Sequence, residues 1–300
     1  MLQSTPLFSG EDPDVRATTK LKSMLAAGRT IVAPGAFDGL SARLVEQAGF
    51  PAIYASGGAM ARANGVPDIG LITPDEIASR LAGMVEVVNV PIIADLDTGY
   101  GNALNAQRAA RAFERAGVAA FHIEDQVFPK KCGHYDNKAL VPTAEMVQKL
   151  KAVRDALHDL DFYVIGRTDA IAVEGFEAAI ERAAAYIEAG ADMIFVEAPT
   201  SEQQIIDIAK RLPGFKLINM FHGGKTPLLP VSRLEKIGYH VVIIPSDTQR
   251  AAIKAMQRVL GTISRDGSAG AMIDDMASFA ERESVVDTAG FLDRDKRYGA

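Results

Sequence analysis

The sequence has little of the residue types that mark secreted and membrane proteins. It contains one cysteine and no tryptophan among 300 residues. A single cysteine excludes an intrachain disulfide and fits a reducing compartment. No uninterrupted apolar run approaches the roughly 20 residues of a membrane helix, and the first 16 residues lack an apolar signal segment. We therefore expect a cytoplasmic protein without a membrane partner.

An excess of basic charge is also missing. The net charge is −6 and the pI is about 5.5, so no basic patch suggests a nucleic-acid partner. The chain is 48% hydrophobic and 23% charged, which is typical of a globular protein. Its length suits one large domain, such as an α/β barrel.

A repeating pattern occupies most of the chain. Short aliphatic runs alternate with helical segments rich in Ala, Glu and Arg, and glycines such as Gly117 stop several of the helices. The runs are Thr30–Ala33, Ala52–Ala55, Pro91–Ala94, Ala119–Ile123, Phe162–Ile165, Met193–Val196, Lys216–Ile218 and His240–Ile244. Continuous apolar runs are typical of parallel strands buried on both faces. Eight such units predict a (β/α)8 TIM barrel, with an open doubly wound sheet as the alternative.

The ends of the chain differ from this pattern. Residues 1–15 have little periodicity and are interpreted as an arm, followed by an amphipathic helix over Val15–Ala27. No strand is predicted after Thr248. We therefore expect a catalytic barrel domain at 1–248 and a helical extension of it at 249–300.

The extension is predicted to contain two helices, Gln249–Leu260 and Gly270–Arg282, before a charged, irregular tail at 283–300. The Ala271–Phe279 stretch has an apolar face that nothing else in the chain obviously covers. We expect a partner subunit to cover it.

Polar residues follow the predicted strands, where the active site of a barrel lies. Asp95 and Asp97 end the third run, and residues two apart on a strand face the same side. Glu124 ends the fourth run, and Asp68 could add a further acid. Carboxylates of this kind suit Mg2+ or Mn2+. The alternative is that Asp97 only begins a turn.

The only cysteine lies in the segment Lys130-Lys131-Cys132-Gly133-His134. Neighbouring cations favour the thiolate and lower the cysteine pKa towards neutrality, which suits a general acid or base. The alternative is a free cysteine that fills a gap in the core.

Other segments are less specific. Ser56-Gly57-Gly58 could bind an anion through backbone N–H groups. Arg167 could pair with a substrate carboxylate, or instead with Asp169 or Glu197. His122 lies inside a strand, where a core histidine is the more common outcome.

These residues together resemble the isocitrate lyase and phosphoenolpyruvate mutase superfamily, from about Thr18 to Ala280. The segments that carry the resemblance are Ser56-Gly57-Gly58, Asp95 to Gly101, His122 to Gln126, Lys130 to His134, Arg167-Thr168-Asp169 and Val196-Glu197-Ala198. The Lys-Lys-Cys-Gly-His segment is similar to that of the carbon–carbon lyase branch.

The resemblance implies a TIM barrel whose C-terminal helices swap between the subunits of a homotetramer. It also implies Mg2+, with Mn2+ possible, held directly by Asp95 and largely through water by Asp68, Asp97 and Glu124. Cys132 would be the proton donor, and Tyr54 would lie near the reacting oxygen. Arg167 and Glu197 would act in catalysis and in binding a small carboxylate substrate. The implied substrate-binding residues are Ser56, Gly57, Gly58, Gly133, His134, Arg167, Glu197, Asn219 and Thr226.

The implied activity is Mg-dependent cleavage of a 2-hydroxy di- or tricarboxylate to pyruvate or glyoxylate plus a carboxylic acid. Candidate substrates are 2-methylisocitrate and a substituted malate such as 2,3-dimethylmalate. Phe221-His222-Gly223-Gly224-Lys225 replaces the Thr-Glu-Phe-Gly usual in methylisocitrate lyases, which favours a different substituent at C3. The alternatives are an oxaloacetate hydrolase or a phosphonate-processing enzyme, either a phosphonomutase or phosphonopyruvate hydrolase. A non-catalytic barrel is disfavoured because the acids and Cys132 are all present.

Overall fold

The computed structural model describes residues 15–133, 135 and 137–299. Two compact units span residues 1–247 and 248–300. In the first unit, eight parallel strands form a closed barrel, because β1 pairs with both β2 and β8. The strands are β1 Ile31–Ala36, β2 Ile53–Ala55, β3 Ile92–Asp95, β4 Ala120–Glu124, β5 Tyr163–Thr168, β6 Met193–Val196, β7 Phe215–Asn219 and β8 Val241–Ile244. The predicted barrel is confirmed, and the open sheet is excluded.

Helices surround the strands. They are α1 Ala17–Ala26, α2 Gly39–Gln47, α3 Gly57–Ala63, α4 Pro74–Val85, α5 Ala103–Ala116, α6 Thr143–Ala156, α7 Phe176–Glu188, α8 Glu202–Arg211 and α9 Val231–Ile237. Local sequence sets several of their ends. Asn102 caps α5 by accepting hydrogen bonds from two backbone N–H groups, and Gly117 ends it at a φ of +88°. The predicted arm lies outside the described residues, except for Val15.

Two apolar layers hold the barrel together. The outer layer lies between the sheet and the helices and includes Phe113, Phe121 and Tyr186. The inner layer consists of alternate strand residues together with two leucines of α1. Its members include Leu21, Leu25, Ile31, Ala33, Ile93, Ala120, Ile165, Met193, Phe195, Leu217, Val241 and Ile243.

Helix α1 closes the end of the barrel at which the strands begin. Leu21 and Leu25 are buried against the first inward residues of the strands. The Thr18 hydroxyl donates to the carboxylate of Asp159 at 2.7 Å, and Lys22 pairs with Asp161 at 2.6 Å, just before β5. Apolar burial and polar contacts therefore fix α1 on this end.

The second unit contains more helix than the sequence predicts. It comprises α10 Asp247–Asp266, a 3-10 helix Gly270–Asp275, α11 Phe279–Val285 and α12 Thr288–Tyr298. The predicted single helix Gly270–Arg282 is wrong, because Ser278 accepts a hydrogen bond from the Glu281 N–H and begins a new helix. The predicted irregular tail is also wrong, because Asp287 caps α12.

The predicted apolar face in this unit is exposed in the chain. The exposed fractions are 70% for Ile273 and 73% for Phe279. Its cover by a partner subunit, and the swapping of helices, stay predictions. Among the described residues, no helix combines the length and apolar character needed to cross a membrane.

Candidate active site

The inward-facing positions of the strands change from apolar to polar as each strand ends. Alternate residues point into the barrel, so Ile93 is followed by Asp95, and Ala120 by His122 and Glu124. The same alternation places polar residues after Ile165, Phe195 and Leu217. We call the resulting buried set the charged layer: Asp95, His122, Glu124, Arg167, Glu197 and Asn219.

Asp95, His122 and Tyr54 form a buried polar group. The Tyr54 hydroxyl lies 2.7 Å from His122 Nε2, which in turn lies 3.5 Å from the Asp95 carboxylate. Burial lowers the pKa of His122 to about 4, so the imidazole is neutral at pH 7. Burial alone would raise the pKa of Asp95, but the charges of nearby groups, His122 first, lower it to about 2. His122 is therefore a site residue, which the sequence analysis did not favour.

Asp97 lies close to Asp95, as predicted, but not because the two residues alternate along one strand. Strand β3 ends at Asp95, and Asp97 lies in a left-handed turn with a φ of +48°. Its N–H donates to the Asp95 carboxylate at 3.1 Å. The inference from strand alternation is thus corrected, since a turn brings the two carboxylates together.

Lys130 lies between two of the predicted acids. Its ammonium is 2.6 Å from Asp68 and 2.7 Å from Asp97, and its side chain is almost fully buried. Burial would lower the pKa of Lys130, but these carboxylates raise it well above its usual value. Burial raises the pKa of Asp97 to about 7, even though the ammonium opposes that shift. The sequence analysis treated Lys130 only as a neighbour of Cys132 and missed this contact.

Gly57 and Gly58 permit the close approach of two carboxylates. A Cβ atom on Gly57 would lie 2.8 Å from the Asp95 carboxylate, and one on Gly58 would lie 2.7 Å from that of Asp68. Ser56 caps α3 by accepting a hydrogen bond from the Ala59 N–H at 3.2 Å. The three residues therefore form the wall of the acidic region.

Arg167 pairs with three carboxylates, one at the end of β4, one just after β5 and one just after β6. Its Nε atom lies 2.9 Å from Asp169 and 3.1 Å from Glu124, and Nη2 lies 3.4 Å from Glu197. Burial would lower the pKa of Arg167, but Asp169 and the other carboxylates raise it well above its usual value. Ion pairing, which the sequence analysis left as an alternative to substrate binding, is what this structure contains.

An open cavity lies above the charged layer, and its empty volume, with the open solvent at its mouth included, is about 530 Å³. Tyr54, Asp95, Arg167, Cys132 and Gly133 all line it. Gly133 packs so closely that a Cβ atom there would lie 2.5 Å from Arg167 Nη2. The cavity wall also contains Ser56, Gly58, Arg62, Asp68, Lys130, Glu197, Asn219, Phe221, Pro245 and Ser246.

Not all of the remaining predicted site residues line the cavity. Thr226 is buried, but it is not among the described residues that line the cavity. His134 lies outside the described residues. Phe221, from the segment that departs from the methylisocitrate lyase pattern, lines the cavity. Arg62 lines it as well, and the sequence analysis missed Arg62 because its surrounding sequence carries no distinctive pattern. Its position depends on tertiary contacts.

The carboxylate region fits a divalent cation. Ligand atoms of Asp95, His122 and Glu124 all lie within 4.8 Å of one another. Among the described residues, none donates a hydrogen bond to the buried Oε1 of Glu124. Burial raises the pKa of Glu124 well above its usual value even though Arg167 opposes the shift, so this ion pair alone does not offset the cost of ionisation. A bound cation would add to the compensation.

Comparison with known proteins gives a consistent result. The family model described as phosphoenolpyruvate phosphomutase matches residues 21–264. The chain is 42% identical over 273 residues to a 2,3-dimethylmalate lyase of Eubacterium barkeri, covering 91% of this chain and 94% of the relative. It is 44% identical over 274 residues to a 2-methylisocitrate lyase of Bacillus subtilis, covering 91% and 89% of the two chains.

Solved structures agree with these relatives. A crystal structure of 2,3-dimethylmalate lyase, a PEP mutase/isocitrate lyase superfamily member, aligns with a TM-score of 0.90 and 34% identity, covering 95% of this chain and 96% of that one. A phosphonopyruvate hydrolase in complex with oxalate and Mg2+ aligns with a TM-score of 0.86 and 31% identity, covering 95% and 99%.

Proposed function

The chain belongs to the phosphoenolpyruvate mutase/isocitrate lyase superfamily, and we propose that it is a carbon–carbon lyase acting on a 2-hydroxy di- or tricarboxylate. The relatives with the highest identities reported above are themselves named lyases. The proposed products are pyruvate or glyoxylate and a carboxylic acid.

One observation carries this proposal: the only cysteine and the acidic region line the same cavity. Cys132 and Gly133 line this cavity together with Asp68 and Asp95. A substrate bound in the cavity would therefore meet both a proton donor and oxygen ligands. Cleavage of a C2–C3 bond needs both, since one carbon becomes a carbonyl and the other takes a proton.

We assign the metal site to Asp95, with Asp68, Asp97 and Glu124 acting largely through water. Carboxylate oxygens suit Mg2+, and Mn2+ accepts the same ligands. When bound, the ion would supply a Lewis acid that polarises the C2 oxygen and offsets negative charge. The similarity to a Mg2+-bound phosphonopyruvate hydrolase supports this assignment.

One set of side chains would act on C1 and C2 of the substrate. Ser56, Gly57 and Gly58 would hold the carboxylate at C1. Tyr54 and His122, hydrogen-bonded at 2.7 Å, would receive the proton of the C2 hydroxyl. The electron pair of the C2–C3 bond would pass to the C3 side.

The other half of the substrate would lie under the Cys132 segment. Arg167, Glu197 and Asn219 would hold its carboxylate, and Arg167 would offset the charge that develops there. Cys132 would donate its thiol proton to C3, which completes the carboxylic acid product. Gly133, His134 and Thr226 are assigned to substrate binding on the basis of the sequence resemblance alone.

A substituted malate fits the chain better than 2-methylisocitrate. The segment Phe221 to Lys225 departs from the methylisocitrate lyase pattern, and Phe221 lines the cavity. A change at this wall would alter which C3 substituent fits. The sequence identities to a 2,3-dimethylmalate lyase and a 2-methylisocitrate lyase, 42% and 44%, do not separate the two substrates, so the choice rests on this segment.

Phosphonate chemistry or hydrolysis of oxaloacetate is the second candidate. The alignment with phosphonopyruvate hydrolase favours it. The position of Cys132 in the cavity wall favours the lyase, because the second carbon released by C2–C3 cleavage needs a proton.

A substrate panel tests the proposal. The release of 2-oxo acid would be measured with Mg2+ and 2,3-dimethylmalate, 2-methylisocitrate, isocitrate, citramalate, oxaloacetate or phosphonopyruvate. We expect turnover of one hydroxy acid, lost in Cys132→Ser. Activity on phosphonopyruvate or oxaloacetate, with none on any hydroxy acid, would overturn the lyase assignment.

We further propose a cytoplasmic homotetramer in which residues 249–300 pack on another subunit. The exposed Ile273 and Phe279 support a subunit contact. Light scattering should give four times the 32.0 kDa chain mass, and a monomer would contradict the proposal.

A further inference from the structure

We infer that Lys138 is a positioning residue that holds the Cys132–Gly133 segment against the charged layer. Its ammonium donates to the carbonyl oxygen of Gly133, the residue after Cys132. The same ammonium pairs with Asp169 at 2.7 Å, and the exposed fractions of the two side chains are 1% and 0%. One buried cation thus joins the segment to the barrel.

Asp169 is a fixed partner for Lys138. Its N–H donates to the Asp125 carboxylate at 2.9 Å, and its own carboxylate accepts from Arg167 Nε at 2.9 Å. Asp125 in turn accepts hydrogen bonds from Thr168 and Tyr186, at 2.7 and 2.8 Å. The anion that holds Lys138 is therefore held by the barrel itself.

The ion pair ties the position of Gly133 to that of Arg167. A buried ammonium loses its hydration and needs both of its partners in place. If the segment moved outward, Lys138 would regain water, whereas Asp169 would keep Arg167 as its counterion. Asp169 therefore keeps a counterion when Lys138 is removed, so the loss of Lys138 does not leave an unpaired charge buried in the barrel. Removal of Lys138 should consequently shift the segment outward more than it unfolds the barrel.

The segment carries a matched control. Lys131 is partly exposed, and its ammonium donates to the carbonyl of Asn137 at 2.7 Å, six residues further along the chain. Lys131→Met and Lys138→Met each remove one positive charge near Cys132. That loss alone raises the thiol pKa and slows alkylation. Faster alkylation would therefore report a displaced segment, not a change in charge.

The test uses iodoacetamide on the only cysteine of the full chain. We expect Lys138→Met to be alkylated about tenfold faster than the unaltered protein, with a similar melting temperature, through a shift towards the outward arrangement. Lys131→Met should be unchanged or slower, and Lys138→Arg should restore most of the protection. If Lys138→Met does not fold, Lys138→Gln gives the same comparison, because it keeps a donor but lacks the charge.

Equal alkylation of Lys138→Met and the unaltered protein would overturn the inference, as would equal acceleration by both methionine variants. The catalytic consequence rests on the proposed function: Lys138→Met should lower kcat more than it raises KM. Failure of the two ideas is distinguishable. If Lys138→Met is alkylated faster but the protein cleaves no hydroxy acid, the lyase assignment is wrong and the positioning role of Lys138 is supported. If the protein cleaves a hydroxy acid but alkylation is unaltered, the positioning role is wrong and the lyase assignment is supported.

Discussion

The two ends of the barrel are built from the same eight strands but serve different purposes. Where the strands begin, their inward residues are apolar, and Leu21 and Leu25 of α1 cover them. Where the strands end, the inward residues form the charged layer, in which Asp95 is buried beside His122 and Arg167 is buried beside the carboxylate of Glu124. Burial stabilises the first end, whereas at the second end it perturbs the pKa values of carboxylates and His122.

The contrast shows where this fold places its stability and its chemistry. Apolar burial contributes roughly 25 cal/mol per Å², whereas buried ion pairs often add little net stability. The charged layer is therefore better explained by the proposed binding of a cation and a substrate than by a gain in stability. Substitutions at the two ends should separate stability from activity.

The largest expected effect on stability is at the covered end. Leu21→Ala removes a fully buried side chain and leaves a cavity, so we expect the free energy of unfolding to fall by about 2–5 kcal/mol. The kcat of the folded variant should change little, because Leu21 lies at the end of the barrel where the strands begin and the charged layer lies where they end. Urea denaturation measures the first quantity. Leu160→Ala, at a side chain that is 93% exposed, is the control and should change little.

The next effect concerns the charged layer. Mg2+ should raise the melting temperature, and at 100 times its Kd it should stabilise the protein by about 2.7 kcal/mol. Asp95→Asn should lose most of this rise, because it removes a proposed ligand. Glu177→Gln removes an exposed carboxylate and should keep the rise. An equal Mg2+ response in all three proteins would contradict the assignment of the metal site.

The smallest expected effect is on the pH dependence of stability, and it comes from Glu114, which contacts the loop before β5. Glu114 accepts hydrogen bonds from the N–H groups of His158 and Asp159 at 2.7 and 2.8 Å. Burial would raise the pKa of Glu114, but these bonds lower it below its usual 4.5. The folded state thus binds this proton less readily, so the stabilisation is present above the unfolded-state pKa. It is lost as the pH falls through the lowered value.

Glu114→Gln should therefore reduce stability at pH 7 by about 1 kcal/mol or less. The difference from the unaltered protein should shrink as the pH falls below about 4.5, the usual carboxyl pKa. Urea midpoints at both pH values measure it. A difference that grows at low pH would show that the hydrogen bonds do not lower the pKa.

The barrel was predictable because each strand is a continuous apolar run that ends in polar residues. The location of Asp95, Glu124 and Arg167 at one end followed from that topology. The left-handed turn at Asp97 was not predictable, because a short sequence does not reveal its backbone conformation. The contact of Lys130 with Asp68 joins residues far apart in the chain, so no local pattern could reveal it.

Helix α12 was missed for a different reason. Its charged sequence lacks an apolar stripe, and its described residues are not buried in the chain. The helix depends on a local cap at Asp287, whose φ of +56° is unusual for a residue other than glycine.

The most direct test of the account is a single turnover in D2O with the hydroxy acid that the enzyme cleaves. We predict that the carboxylic acid product carries one deuterium at the carbon released from C2. In Cys132→Ser, product formation should fall about 100-fold or more while the substrate still binds. Unimpaired turnover by Cys132→Ser, or product without deuterium at that carbon, would contradict a lyase in which Cys132 donates the proton.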